Sequence, residues 1–142
     1  TRLEHVALSV SDMETSLAFY RDLLGFTVLR EIEPGMLGKK LGTVTGMPNC
    51  QARIAHLDLG GTMLELFQYL DPEGRPQLAD RQQADNGLIH IGFTSTDTRS
   101  DYQRLAKLGV EFISEPTEIR SDVWIAYFLG PDREVCEIRE NG

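Results

Sequence analysis

LEHVALSVSDMETSLAFYRDLLGFTV, residues 3–28, returns in shortened form as LIHIGFTSTDTRSDYQRLAKLGVEF, residues 88–112. Each copy opens on a short apolar strand pattern with one His, His5 or His90. Each places an Asp seven residues later, Asp12 or Asp97, and each runs through an amphipathic segment to a Leu-Gly pair, at Gly25 or Gly109. The offset is 85 residues at the His and Asp and 84 at the Gly. The chain therefore reads as two versions of one module, and its function is expected where the two face each other.

Working outward, Leu3 to Val10 alternates, with His5, Ala7 and Ser9 on one face and Val6, Leu8 and Val10 on the other. Ser11 or Asp12 can cap a helix bearing Leu17, Tyr20, Leu23 and Leu24, and Gly25 is a C-terminal stop. Strands are expected over 26–32, 52–59 and 62–69, the last two joined at Gly60-Gly61. Residues 33–49 are rich in Gly and Pro and read as a long loop of lid length. The second module repeats the order: a strand over 88–94, a helix after Asp97, a strand over 110–114, and a hairpin of 123–129 with 134–139 around Gly130-Pro131-Asp132-Arg133. The expectation is an α+β fold, one domain over 1–142. Two βαβββ modules, 1–70 and 88–142, are joined by a linker over 71–87. Their curved mixed or antiparallel sheets, each too small to stand alone, enclose a cleft.

A chain of 142 residues suffices for a core. Its net charge of −8 argues against nucleic acid and against an anionic membrane surface. No apolar run is long enough to span a bilayer. Two cysteines, Cys50 and Cys136, make no disulfide framework and read as reduced thiols of a cytoplasmic protein.

The chemistry follows from the repeat. Glu65 lies within Met63-Leu64-Glu65-Leu66-Phe67 and Glu137 within Val135-Cys136-Glu137-Ile138, each an acid on the last strand of its module. Alternation sends His5, Glu65, His90 and Glu137 to the face opposite the helix-packing residues. Two imidazoles and two carboxylates suit one divalent metal ion, with Zn, Ni, Co, Mn and Fe(II) all compatible, and leave positions for water or substrate. Such an ion polarises a carbonyl and stabilises an enediolate, while Glu65 or Glu137 leaves it to act as base. A lone His or Glu on a strand is usually structural; a matched pair in both modules is not. His56, with no His counterpart, reads as structural or pocket-lining. Arg53, Phe67, Tyr69, Trp124 and Phe128 are the expected substrate-binding residues.

HVALSVSDMETSLAFYRDLLGF at 5–26, LELF at 64–67, HIGF at 90–93, LAKLGVEF at 105–112 and FLGPDREVCEI at 128–138 resemble the vicinal oxygen chelate superfamily of glyoxalase I, methylmalonyl-CoA epimerase, fosfomycin-resistance thiol transferases, extradiol dioxygenases and bleomycin-binding proteins. The resemblance implies paired βαβββ modules, a divalent metal on His5, Glu65, His90 and Glu137, and a homodimer. A ligand at Glu65 is similar to glyoxalase I and the epimerases rather than to the dioxygenases and thiol transferases. The chain departs from glyoxalase I in carrying Ser9 where an Arg usually holds glutathione, and Phe67-Gln68-Tyr69-Leu70 where an Asn-Trp-Gly segment is usual. It departs from the epimerases in having no Glu over 49–53, and it carries Pro131-Asp132-Arg133 where the family often has Pro-Asp-Gly, which implies a positive-φ turn position held by Arg133. The implied function is a metal-dependent lyase or isomerase acting by proton abstraction on a small oxygen-chelating molecule. An Fe(II)-dependent dioxygenase and a non-catalytic, drug-sequestering binding protein are the alternatives.

Overall fold

The computed structural model describes residues 1–142 and divides them into two compact units, Thr1–Pro76 and Gln77–Gly142, which part inside the expected linker. The first unit contains β1 (His5–Ser9), α1 (Met13–Leu17), β2 (Thr27–Ile32), α2 (Lys40–Thr45), β3 (Gln51–Asp58) and β4 (Met63–Asp71). Its sheet has the order β1-β4-β3-β2, with β1 parallel to β4 and the other pairs antiparallel. The second unit contains β5 (Ile91–Thr94), α3 (Thr98–Lys107), β6 (Thr117–Arg120), β7 (Val123–Leu129) and β8 (Val135–Glu140). Its order, β5-β8-β7-β6, repeats the first, again with the outer strand β5 parallel to β8.

The shared Asp is a helix cap in both copies. Asp12 accepts from Thr15 N at 2.9 Å and Thr15 Oγ1 at 2.7 Å; Asp97 accepts from Ser100 N at 3.0 Å and Ser100 Oγ at 2.8 Å. A second tie repeats as well. The first helical N–H is held by a side chain three residues past the last-strand Glu: Met13 N by Gln68 Oε1 at 2.7 Å, and Thr98 N by Glu140 Oε2 at 3.0 Å. Each helix start is thereby fixed to the strand that carries the acid.

After α1 the chain continues as a π-helical stretch over Ala18–Leu23, with Leu24 N bonded to Phe19 O at 3.1 Å. The wider turn brings the consecutive Phe19 and Tyr20 both into the core, and Tyr20 stands edge-on to Phe26. Met13, Leu17 and Tyr20 are buried on the helix-covered face of the sheet together with Ala55, Leu57, Leu64 and Leu66. In the second unit Leu105, Ala126, Phe128, Cys136 and Ile138 form the matching core, extended by Phe112 and Tyr102. Cys50 and Cys136 are both buried and are not joined in a disulfide. No helix is long and apolar enough to cross a membrane.

Three expectations change. The strand expected over 110–114 is a single bridge, Phe112 to Phe128, and the paired strand begins only at Thr117, because Pro116 has no N–H to donate between them. His90 stands just before β5 rather than inside a strand starting at Leu88. The long 33–49 loop contains α2, capped by Gly46 at φ 72°, and packs Leu41, Met47 and Cys50 onto Ala52, Ile54, Phe67 and Tyr69. Arg133 does hold positive φ, at 64°.

Candidate metal centre

In each unit the repeated His and Glu lie on one face of the sheet. Strand register sets it in the first unit: His5 pairs with Met63, Ala7 with Glu65, and His56 with Glu65 from the other side. Odd-numbered residues of β4 and even-numbered residues of β3 therefore share the open face. His5 Nε2 lies 3.4 Å from Glu65 Oε2, and His56 Nε2 lies 3.0 Å from Glu65 Oε1. Burial lowers the basicity of His56, the nearby Glu65 charge opposing and Arg30 and His5 adding to the effect.

In the second unit His90 Nε2 is 3.0 Å from Glu137 Oε2, and Arg139 Nη1 is 4.0 Å from Glu137 Oε1. Glu137 is only 8 % exposed, an expensive place for an uncompensated carboxylate. Tyr127 is its register partner on β7, with its ring 4.9 Å from that of His90. Burial and the Glu137 charge push the Tyr127 phenol up.

The outer nitrogens of the two repeated imidazoles make the arrangement informative. His5 Nδ1 faces Glu4 Oε1 at 3.2 Å, and His90 Nδ1 faces Gln83 Oε1 at 3.1 Å. The Gln83 amide is oriented by its own Nε2 donating to Ile89 O at 3.0 Å, so its oxygen points at the ring. Each imidazole thus has an oxygen against both nitrogens. A neutral ring has one N–H and satisfies one of them; the other contact calls for a proton or a metal ion on Nε2. A ligating His with its second nitrogen donating to an outer acceptor is the usual arrangement at metal sites. An imidazole nitrogen and a carboxylate oxygen are N/O donors of the kind a divalent ion takes. Each unit brings one such His–Glu pair, and no group of three or more His, Cys, Asp or Glu is gathered closely enough to hold a metal ion.

Residues 2–138 match the Glyoxalase/Bleomycin resistance protein/Dioxygenase superfamily. The chain belongs to this superfamily. Among relatives of this glyoxalase-superfamily protein, a 2-epi-5-epi-valiolone epimerase from Actinomyces sp is 30% identical over 139 residues, covering 91% of this chain and 73% of the relative. The mitochondrial methylmalonyl-CoA epimerase of Homo sapiens is 28% identical over 130 residues, 92% of this chain and 66% of the relative. A glyoxalase family protein from Bacillus cereus superimposes with a TM-score of 0.86 at 22% identity, covering 99% of this chain and 95% of that one, which establishes the shared fold. The named relatives include enzymes that are epimerases.

Within this superfamily member the other expected pocket residues divide. Phe67 and Tyr69 lie on the Glu65 face, stacked at 5.7 Å, under the segment that carries α2. Arg53 does not join them. It points to the helix side, with Nη1 2.7 Å from Glu14, Nη2 2.8 Å from Glu31 and Nε 3.9 Å from Glu33. Trp124 and Phe128 also belong to the helix-covered face: Arg99 of α3 sits 4.3 Å over the Trp124 ring, and Phe128 is 0% exposed against Phe112. The aromatic on the open face of β7 is Tyr127. The run Val123-Trp124-Ile125-Ala126-Tyr127-Phe128-Leu129 is apolar on both faces, so only its register against Glu137 reveals this. The outer acceptors Glu4 and Gln83 carried no sequence signal beyond proximity, and Gln83 lay in what reads as a linker.

Proposed function

We propose that this protein is a divalent-metal-dependent isomerase of the epimerase type, in which His5, Glu65, His90 and Glu137 are the metal ligands. The observation that carries the reading is the oxygen at both nitrogens of His5 and His90, which leaves each Nε2 aimed at a carboxylate. A divalent ion bound there supplies Lewis-acid polarisation of a substrate carbonyl. The residues of the chain do the rest. Gln83 and Glu4 hold the imidazoles in one tautomer. Glu65 and Glu137 are the carboxylates that would serve as base and acid: one would take the proton from the carbon beside the substrate carbonyl, and the other, protonated, would return a proton to the opposite face of that carbon. Phe67, Tyr69 and Tyr127 supply aromatic surface on the sheet faces that carry the two carboxylates. The epimerase relatives favour this over the lyase alternative, and nothing in the site selects a redox-active ion. The same reading has the chain acting as a homodimer on a small molecule.

Metal content of unchelated protein, alongside His5→Ala and Glu65→Ala, tests the site. About one divalent ion per chain, lost in both variants, is expected from a four-ligand centre of this kind. Proton exchange in D2O tests the reaction: loaded protein should wash deuterium into a 2-substituted thioester or a 2-oxoaldehyde thiohemiacetal without oxygen. Absence of uptake from Zn, Ni, Co, Mn and Fe(II) alike would remove the enzyme reading and leave a small-molecule-binding groove.

A further inference from the structure

His56 is the third histidine of the chain and stands outside the repeated pair. Its contacts differ from those of His5 and His90 in one respect. Nε2 meets Glu65 Oε1 at 3.0 Å, but Nδ1 is buried with no hydrogen-bond partner. One N–H, on Nε2, satisfies everything around this ring. The bare Nδ1 is then an unprotonated acceptor, whereas a buried N–H there would be an unmet donor. The ring is a donor to a carboxylate through Nε2, whereas His5 and His90 have the surroundings of ligands.

The two oxygens of Glu65 are consequently divided. Oε1 is held by His56 from β3, and Oε2 faces His5 from β1. The register that produces this, His56 opposite Glu65, has its equivalent in the second unit in Tyr127 opposite Glu137. There the partner is a phenol, and Glu137 Oε1 has only Arg139 Nη1, at 4.0 Å. The repeat that makes the two carboxylates look interchangeable in sequence is broken at the residue beside each.

We propose that His56 is a positioning residue: its Nε2–H clamps Glu65 Oε1, so that Glu65 offers the metal Oε2 alone and stays in place as a fixed one-oxygen ligand. This rests on the metal reading above. It leaves Glu137 as the carboxylate with the freer oxygen, so the two repeated carboxylates are not equivalent.

The test compares wild type, His56→Phe and His56→Gln by titration with Co(II), reading affinity and the visible ligand-field spectrum, with the imidazole tautomer of His56 read by 15N NMR in metal-free protein. Phe keeps the ring and removes the donor; Gln places an amide N–H near the position of Nε2. His56→Phe should bind Co(II) about 10–100-fold more weakly, the usual cost of losing an outer partner, with an altered spectrum. His56→Gln should recover most of the affinity. The NMR should show the proton on Nε2 and none on Nδ1. Co(II) affinity within twofold of wild type in His56→Phe, or an Nδ1–H tautomer in the wild type, overturns the positioning role while the metal site stands. A wild type that takes up no Co(II) overturns the metal site and the role together.

Discussion

Phe128→Ala separates a core residue from a pocket wall. The Phe128 side chain is 0% exposed, lies 5.3 Å from the Phe112 ring, and pairs in register with Cys136, itself 0% exposed. Truncation removes roughly 150 Å² of apolar surface from the interior. At about 25 cal/mol per Å² that is about 4 kcal/mol, inside the range of about 3–5 kcal/mol for Phe→Ala in packed cores. Against a total stability of about 5–15 kcal/mol, the variant should be close to unfolding at physiological temperature. In urea, with a slope of about 2 kcal/mol per M, the midpoint should fall by about 2 M with the slope unchanged. Tyr127→Phe is the control: it keeps the ring on the open face and should move the midpoint by less than about 0.5 M, while changing behaviour at Glu137. A Phe128→Ala protein that unfolds like wild type but loses substrate or metal would place Phe128 on the open face and refute the assignment of the β7 faces.

Arg53→Met should leave metal binding and KM unchanged, because the guanidinium bridges Glu14, Glu31 and Glu33 on the helix side. Its cost should be about 1 kcal/mol or less in thermal or urea unfolding, since these half-exposed pairs are screened by water, and should shrink in high salt. Gly42→Ala should destabilise the protein by about 1–3 kcal/mol and speed proteolysis within 33–50, because a Cβ there would stand 2.7 Å from Met47 O and 2.9 Å from Asn49 N, both backbone atoms. Thermal scans against pH test the caps. Hydrogen bonds from Ser100 and Thr15 hold the Asp97 and Asp12 carboxyls below their ordinary value, so they bind fewer protons folded than unfolded and stabilise the fold above the unfolded-state pKa. The gap between wild type and Asp97→Ala should be constant from about pH 8 to about pH 5 and narrow below about pH 4. A gap that widens on acidification would refute the capping role.

What the chain alone determined is what short-range patterns encode. The repeated His, Asp and Gly spacings announce two modules, and the Asp caps form as local Asp-x-x-Thr and Asp-x-x-Ser contacts with no help from the rest of the fold. The period of two along strands that are polar on one side was enough to put His5, Glu65 and Phe67 on one face. Only tertiary structure decided the rest, because the deciding partners are far apart in sequence. β7 is apolar on both faces, and its orientation comes from pairing Tyr127 with Glu137. Arg53 looked available until Glu14 and Glu31 arrived from α1 and β2. Gln83 became the outer partner of His90 because the linker folds back, and the 33–49 segment became a packed cover because Leu41 and Cys50 found Ile54. His56, a residue without a counterpart in the sequence, acquired one in Tyr127 when strand pairing set each opposite its own carboxylate.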